Sequence, residues 1–216
     1  MHISDGLLPG SVCAGGWVLA GAATLWSLRR TTDRDVPRLA VMTSAFFAVS
    51  LLHLRLGGAS VHLMLTGLLG AVVGPGAMIP VALGLVLQAL LLGHGGVSTI
   101  GVNALVMGMP ALLCGALVRR NCWRGAGGVP AWVPPLAGFA AGAGATVLSL
   151  VLFVGVGLLA DPAFFRAIGV FAAAHLPLAG VEGLATAAAV TYLVRVKPEV
   201  FHGEDSPRSL LAARPV

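Results

Sequence analysis

Residues 134–159 read PPLAGFAAGAGATVLSLVLFVGVGLL, 26 positions without a charged side chain. A helix needs about 20 apolar residues to cross the roughly 30 Å hydrocarbon core of a bilayer. There it must satisfy all its backbone polar groups internally. The stretch therefore predicts a membrane-spanning helix, and its glycines suit helices that approach closely in lipid. Six further apolar stretches lie at about 10–28, 37–54, 61–74, 76–93, 100–118 and 163–194. The one at 61–74 is short, Gly-rich and ends at Gly74-Pro75. The last is long and carries Pro177, compatible with a lead-in segment followed by the span proper. The expected fold class is all-α, a polytopic integral membrane helix bundle of about seven transmembrane helices.

Composition points the same way. Hydrophobic residues make up 57% of the 216 and charged residues 10%, against about 25% charged in an ordinary soluble domain, and the mean hydropathy is +0.95. Residues 1–196 are expected to form one transmembrane domain. Residues 197–216, with Pro198, Gly203, Pro207 and Pro215, read as a flexible tail.

The basic residues predict orientation. Arg29, Arg30, Arg34 and Arg38 lie between the first two spans, Arg119, Arg120 and Arg124 follow the fifth, and Arg195, Lys197, Arg208 and Arg214 follow the seventh. Seven crossings put these three regions on one side and only Arg55 and Arg166 on the other. The positive-inside rule makes the richer side cytoplasmic, so the N-terminus is expected outside and the tail inside. The net charge of +5 then reads as topology signal with some attraction to anionic lipid, and requires no nucleic acid.

The chain opens MHISDGLLPG. A secretory signal peptide has a basic region before its apolar core, whereas here Asp5 comes before the core and the Arg29-Arg30 pair after it. Retention is expected, with Met1 and His2 on the outer side. His53, His62, His94 and His175 fall at that same face by the predicted topology, leaving only His202 inside. Such a cluster of imidazoles is what a transition-metal site needs. For His53 alone, an interfacial hydrogen-bonding role is the simpler reading.

The first two residues have a chemistry of their own. A free terminal amine, the deprotonated amide nitrogen of His2 and Nδ1 of its imidazole can close adjoining five- and six-membered chelate rings. Three nitrogens then lie nearly in a plane, which suits square-planar Ni(II) or Cu(II) and leaves one corner for a second imidazole. Residues 1–8, if extended, reach about 26 Å at roughly 3.3 Å each. The tip can therefore fold back between the spans, with Pro9 and Gly10 turning the chain.

Other polar residues have two readings each. Asp5 either fixes the N-terminal loop as a partner of the ligands or caps the first helix. Glu182 follows His175 by seven residues, so both face one side of an unbroken helix. Its carboxylate serves either pairing inside the bundle or transport. Cys13, Cys114 and Cys122 lack CxxC spacing and read as packing thiols, and the six methionines are scattered. The chain contains no GxxxxGK[ST] cradle and no HExxH, so ATP hydrolysis and zinc-protease chemistry have no visible seat.

Four blocks carry a family resemblance: MHISDGLLPG at the start, ASVHLMLTGLLGAVVGP (59–75), LVLQALLLGHGGVSTIGVNALVMGMPA (85–111) and HLPLAGVEGLATA (175–187). In this order, over about residues 1–195, they resemble the substrate-specific membrane subunit of the cobalt and nickel energy-coupling factor transporters, the CbiM/NikM family. The resemblance implies that Met1, His2 and His62 bind the metal through the terminal amine, the amide and imidazole nitrogens of residue 2, and the His62 ring. It also implies that the loop GHGGVSTIGVN, with His94, Ser98, Thr99 and Asn103, lines or lids the pocket. Ni²⁺ or Co²⁺ would be cargo, with no cofactor. The implied partners are a transmembrane coupling subunit, two ATP-binding subunits and a small accessory membrane protein, all in a prokaryotic inner membrane. Some relatives carry a Cys-His block before the third span that is absent here, which leaves cobalt against nickel open. A permease or channel for another solute is the alternative reading. An intramembrane enzyme using Ser60 or Ser98 is a more distant one, since no nucleophile sits in a recognisable motif.

Overall fold

The computed structural model describes residues 2–56, 59–122, 129–161 and 168–201. Met1, Arg124, Arg166 and the tail from 202 onward lie outside the described residues. The helices are α1 (Gly10–Arg29), α2 (Val36–Ser50), α3 (Thr66–Val73), α4 (Met78–Leu92), α5 (Ile100–Cys122), α6 (Val133–Ala160) and α7 (Ile168–Val196). A two-stranded antiparallel hairpin, β1 (His53–Leu56) with β2 (Ala59–His62), joins α2 to α3 and pairs His53 with His62. Each apolar stretch of the sequence holds one of the helices, yet among the described residues only five segments are long and apolar enough to cross a membrane. These are Gly10–Arg29, Thr66–Leu92, Ile100–Cys122, Val133–Ala160 and Ile168–Val196. Taken singly, α2 and α4 have 15 residues each and α3 eight, against the about 20 of a full-length span.

The segment Thr66–Leu92 reverses direction in its middle. α3 advances along α5, with Gly70 against Ala111 and Gly74 against Arg119. α4 begins with Met78 against Gly108 and ends at Gly93, while Gly95 lies against Asn103 at the start of α5. The turn sits at Gly74-Pro75, where Gly74 takes φ +58° and ψ −127°, a conformation open mainly to glycine. The close α3–α5 contact depends on small residues, because a Cβ at Gly70 or Gly115 would overlap the facing backbone. Met64, Leu69, Met78, Met107 and Phe46 fill the core beside it, so three of the methionines are packing groups. All three cysteines are free.

Two expectations need correction. α7 runs unbroken through Pro177, so no separate lead-in helix precedes it within 168–196. Residues 197–201 of the expected flexible tail are ordered: Pro198–Phe201 forms a 3-10 turn whose Val200 and Phe201 are buried against Val118 and Val190. The Arg119 guanidinium donates to the Val200 carbonyl at 3.3 Å. Two apolar side chains and one charged bond suffice to hold residues that composition alone marks as loose.

The helices gather their chemistry at opposite ends. Ser27 of α1 donates to the Pro75 carbonyl at 2.7 Å, and Gly76 lies beside Thr31 and Leu39. This end, completed by Arg119 and Val200, carries Arg29, Arg30, Arg38, Arg119, Arg120, Arg195 and Lys197 near helix termini. The opposite end carries His2, His62 and His94.

Candidate metal centre

Residues 2–5 lie as a strap across the histidine end, and the polar residues of the α4–α5 connection hold it there. The Asn103 side chain accepts from the Ile3 N–H at 2.9 Å and donates to the Ile3 carbonyl at 3.0 Å. The Thr99 hydroxyl donates to that carbonyl at 2.7 Å. Asp5 accepts from the Val97 and Ser98 N–H groups at 3.1 and 3.0 Å and from the Ser98 hydroxyl at 2.5 Å. Those bonds, the hydroxyl of Ser98 first, hold the Asp5 carboxyl below the usual carboxylate range. Trp17 of α1 donates to the Ser98 carbonyl at 3.1 Å. Asp5 does not cap α1, whose N-cap is Pro9 with no side-chain bond. The chain turns at Asp5-Gly6, with Gly6 at φ +83°, and not at Pro9-Gly10, since Gly10 already belongs to the helix.

The strap delivers His2 to His62. Their rings lie 4.9 Å apart, with His2 Nδ1 3.1 Å from His62 Nε2. The outer nitrogens are both tied to oxygen acceptors: His2 Nε2 to Gln88 Oε1 at 2.7 Å, and His62 Nδ1 to the Leu63 carbonyl at 3.0 Å. With the ring protons on these outer nitrogens both inner nitrogens become donors to a cation; with either proton on an inner nitrogen the same 3.1 Å approach is a hydrogen bond between the rings. Burial pushes the His2 imidazole well below its ordinary pKa, which keeps the ring neutral. Nitrogens about 2.0–2.1 Å from one ion at angles of 90–109° stand about 2.8–3.4 Å apart, and the observed spacing falls inside that interval.

His94 stacks beside His2, ring centroids 6.3 Å apart and planes 19° off parallel. Among the described residues, no three His, Cys, Asp or Glu side chains converge as a metal cluster. The two imidazoles would therefore need backbone or terminal nitrogens to complete a set. Ser98, Thr99 and Asn103 are engaged with the strap. His175 lies apart, its Nδ1 held by the Phe171 carbonyl at 2.9 Å.

Two further residues, Gln88 and Glu182, support the histidine pair. Gln88 is the one polar side chain of α4, and a buried polar group in an apolar span calls for a partner; it orients His2. Glu182, fully buried, accepts from the backbone N–H groups of Met64 and Leu65, the latter at 2.9 and 3.1 Å. Leu65 is left-handed, φ +51°, and starts α3, so Glu182 fixes the corner directly after His62. Of its two sequence readings, the structure displays pairing inside the bundle.

Fold and site together define a multi-pass membrane protein whose polar groups converge on a nitrogen-lined point at one membrane end. Residues 2–200 match the family model CbiM, described as cobalt uptake substrate-specific transmembrane region, and the chain belongs to that family. A "Putative cobalt transport protein CbiM 1" from Methanocorpusculum labreanum is 34% identical over 93% of this chain and 92% of its own. A "Fused nickel transport protein NikMN" from Rhodobacter capsulatus is 29% identical over 96% of this chain and 65% of its own. A crystal structure titled as a transition metal transporter shares the fold at a TM-score of 0.69 and 23% identity, covering 92% of this chain and 95% of its own. The protein is thus a membrane component of the cobalt and nickel transport family.

Proposed function

We propose that this chain captures Ni²⁺ or Co²⁺ at the histidine end and hands it inward as the substrate-binding subunit of an ATP-driven importer. The observation that carries the reading is the approach of His2 Nδ1 to His62 Nε2 at 3.1 Å, the spacing of two nitrogens on one ion. The terminal amine of Met1 and the His2 amide nitrogen supply the remaining two donors of a planar set. Asp5, Ser98, Thr99 and Asn103 close the strap over the ion, and His94 lids it. Planar nitrogen ligation favours Ni²⁺ over Co²⁺, while the Irving–Williams order would favour copper still more, so selection rests on closure and supply. Binding deprotonates an amide and releases protons.

The arginine end faces the cytoplasm by the positive-inside rule, in a prokaryotic inner membrane. α1 to α7 then make seven passages, with α3 extended by the strand that precedes it. Residues 1–196 act as one metal-binding domain, and the tail is cytoplasmic. The sequence has no nucleotide cradle of its own, so a coupling subunit, two ATP-binding subunits and a small accessory membrane protein complete the machine. The fusion present in a nickel-transport relative supports such assembly. Titration calorimetry with Ni²⁺ and Co²⁺ tests the reading on a variant carrying one extra residue before Met1. A loss of at least a hundredfold in affinity is expected, and unchanged binding would overturn the terminal chelate.

A further inference from the structure

α1 and α5 touch backbone to backbone near the histidine end, where Gly16 meets Val102 and Gly101 meets Trp17. Toward the arginine end they part. The wedge between them is a groove of about 580 Å³ lined by Ala23, Trp26, Leu112, Leu113, Ala116 and Arg119, among others. Its walls are apolar except at this mouth, where Arg119 lines it and the Arg30 guanidinium lies 5.7 Å from the Trp26 ring. Arg38 and Asp35 are within electrostatic reach of Arg119, and Asp35 is already engaged by Arg38 at 2.8 Å and by Thr32. No carboxylate lines the groove among the described residues, so the mouth has a surplus of positive charge.

The volume falls in the usual ligand-site range of about 300–1,000 Å³. The groove asks for a slender apolar chain with an anion at one end. We propose that it holds an anionic phospholipid, the acyl chain against Ala23, Leu112 and Leu113 and the phosphate between Arg30 and Arg119. Basic pockets between transmembrane helices commonly select such headgroups, and Trp26 is placed where an interfacial aromatic belongs.

The test uses the full chain in detergent, equilibrated with equal amounts of phosphatidylglycerol and phosphatidylcholine, with retained lipids counted by native mass spectrometry. Wild type is expected to retain phosphatidylglycerol at least fivefold over phosphatidylcholine. Arg30→Gln with Arg119→Gln should bring the ratio near one, Ala116→Phe should reduce both lipids by narrowing the wedge, and Arg195→Gln should change neither. Because Arg119 also holds Val200, exposed Arg30→Gln alone serves where the double variant does not fold, with at least a twofold fall in the ratio expected. Equal retention by wild type, a ratio unmoved by the arginine changes, or retention of neither lipid overturns the proposal. None of these outcomes depends on metal binding.

Discussion

The histidine end joins segments 60 to 118 residues apart in sequence through imidazoles, amides and two carboxylates, each with named partners. The arginine end gathers its cations at helix termini, with a few anchoring bonds such as Ser27 to Pro75 and Arg119 to Val200. The proposed function accounts for the difference. A metal ion reads the positions of donor atoms to a few tenths of an ångström, so its ligands must be oriented by further bonds. Membrane orientation reads a count of basic residues near a span end, and a count tolerates imprecision. Substitutions at the first end should therefore act through geometry, and at the second through total charge.

The contrast is sharpest at His62. Replacing it with Ala should lower Ni²⁺ affinity at least a hundredfold in calorimetry, while Arg120→Gln at the far end should stay within twofold. Comparable losses in both would erase the distinction. Asp5→Ala removes three bonds to the Val97-Ser98 corner and should cost roughly 10–100-fold, the usual toll for a group supporting a ligand. Full retention of affinity would mean that the strap closes without it. Gln88→Leu leaves the His2 ring untethered and should cost about tenfold. Its informative readout is the absorption band of bound Ni²⁺, which should broaden as ring orientation is lost; an unaltered band would show that Gln88 does not set the orientation.

The smallest effect concerns protons. Burial lowers the His2 pKa, so below about pH 6.5 the unfolded chain, with its ordinary imidazole, binds more protons than the folded one. Stability from this group is complete above that pH and is lost as pH falls toward the lowered folded value. Thermal melts of metal-free protein should drop by a few degrees between pH 7.5 and 5.5, and His2→Gln should shrink the drop. A drop of the same size in both proteins would detach it from His2.

Much of the fold is legible in the sequence because lipid imposes a simple code of length and apolarity. Residues 134–159 announce α6, and the Arg clusters mark helix ends. What escapes is decided by packing. α3 is a helix of eight residues because Leu65 turns left-handed under the grip of Glu182, an event more than 100 residues away in the chain. The order of residues 198–201 rests on Val200 and Phe201 finding Val118 and Val190. In the site, His2 and His62 stand out as imidazoles in a hydrophobic chain. Asp5 shows its charge but not its partners, since an aspartate before a helix looks the same whether it caps that helix or reaches a distant loop. Gln88 is visible as an isolated polar residue, yet its partner lies 86 residues away.

The Glu182 carboxylate grips backbone amides only two and three positions beyond His62, which makes α7 and the His62 corner a single mechanical part. A partner that tilted α7 would carry the imidazole along, widening its gap from His2 without touching either ring. The bond that shapes the resting molecule is therefore also a lever by which force applied far away moves one imidazole from the other.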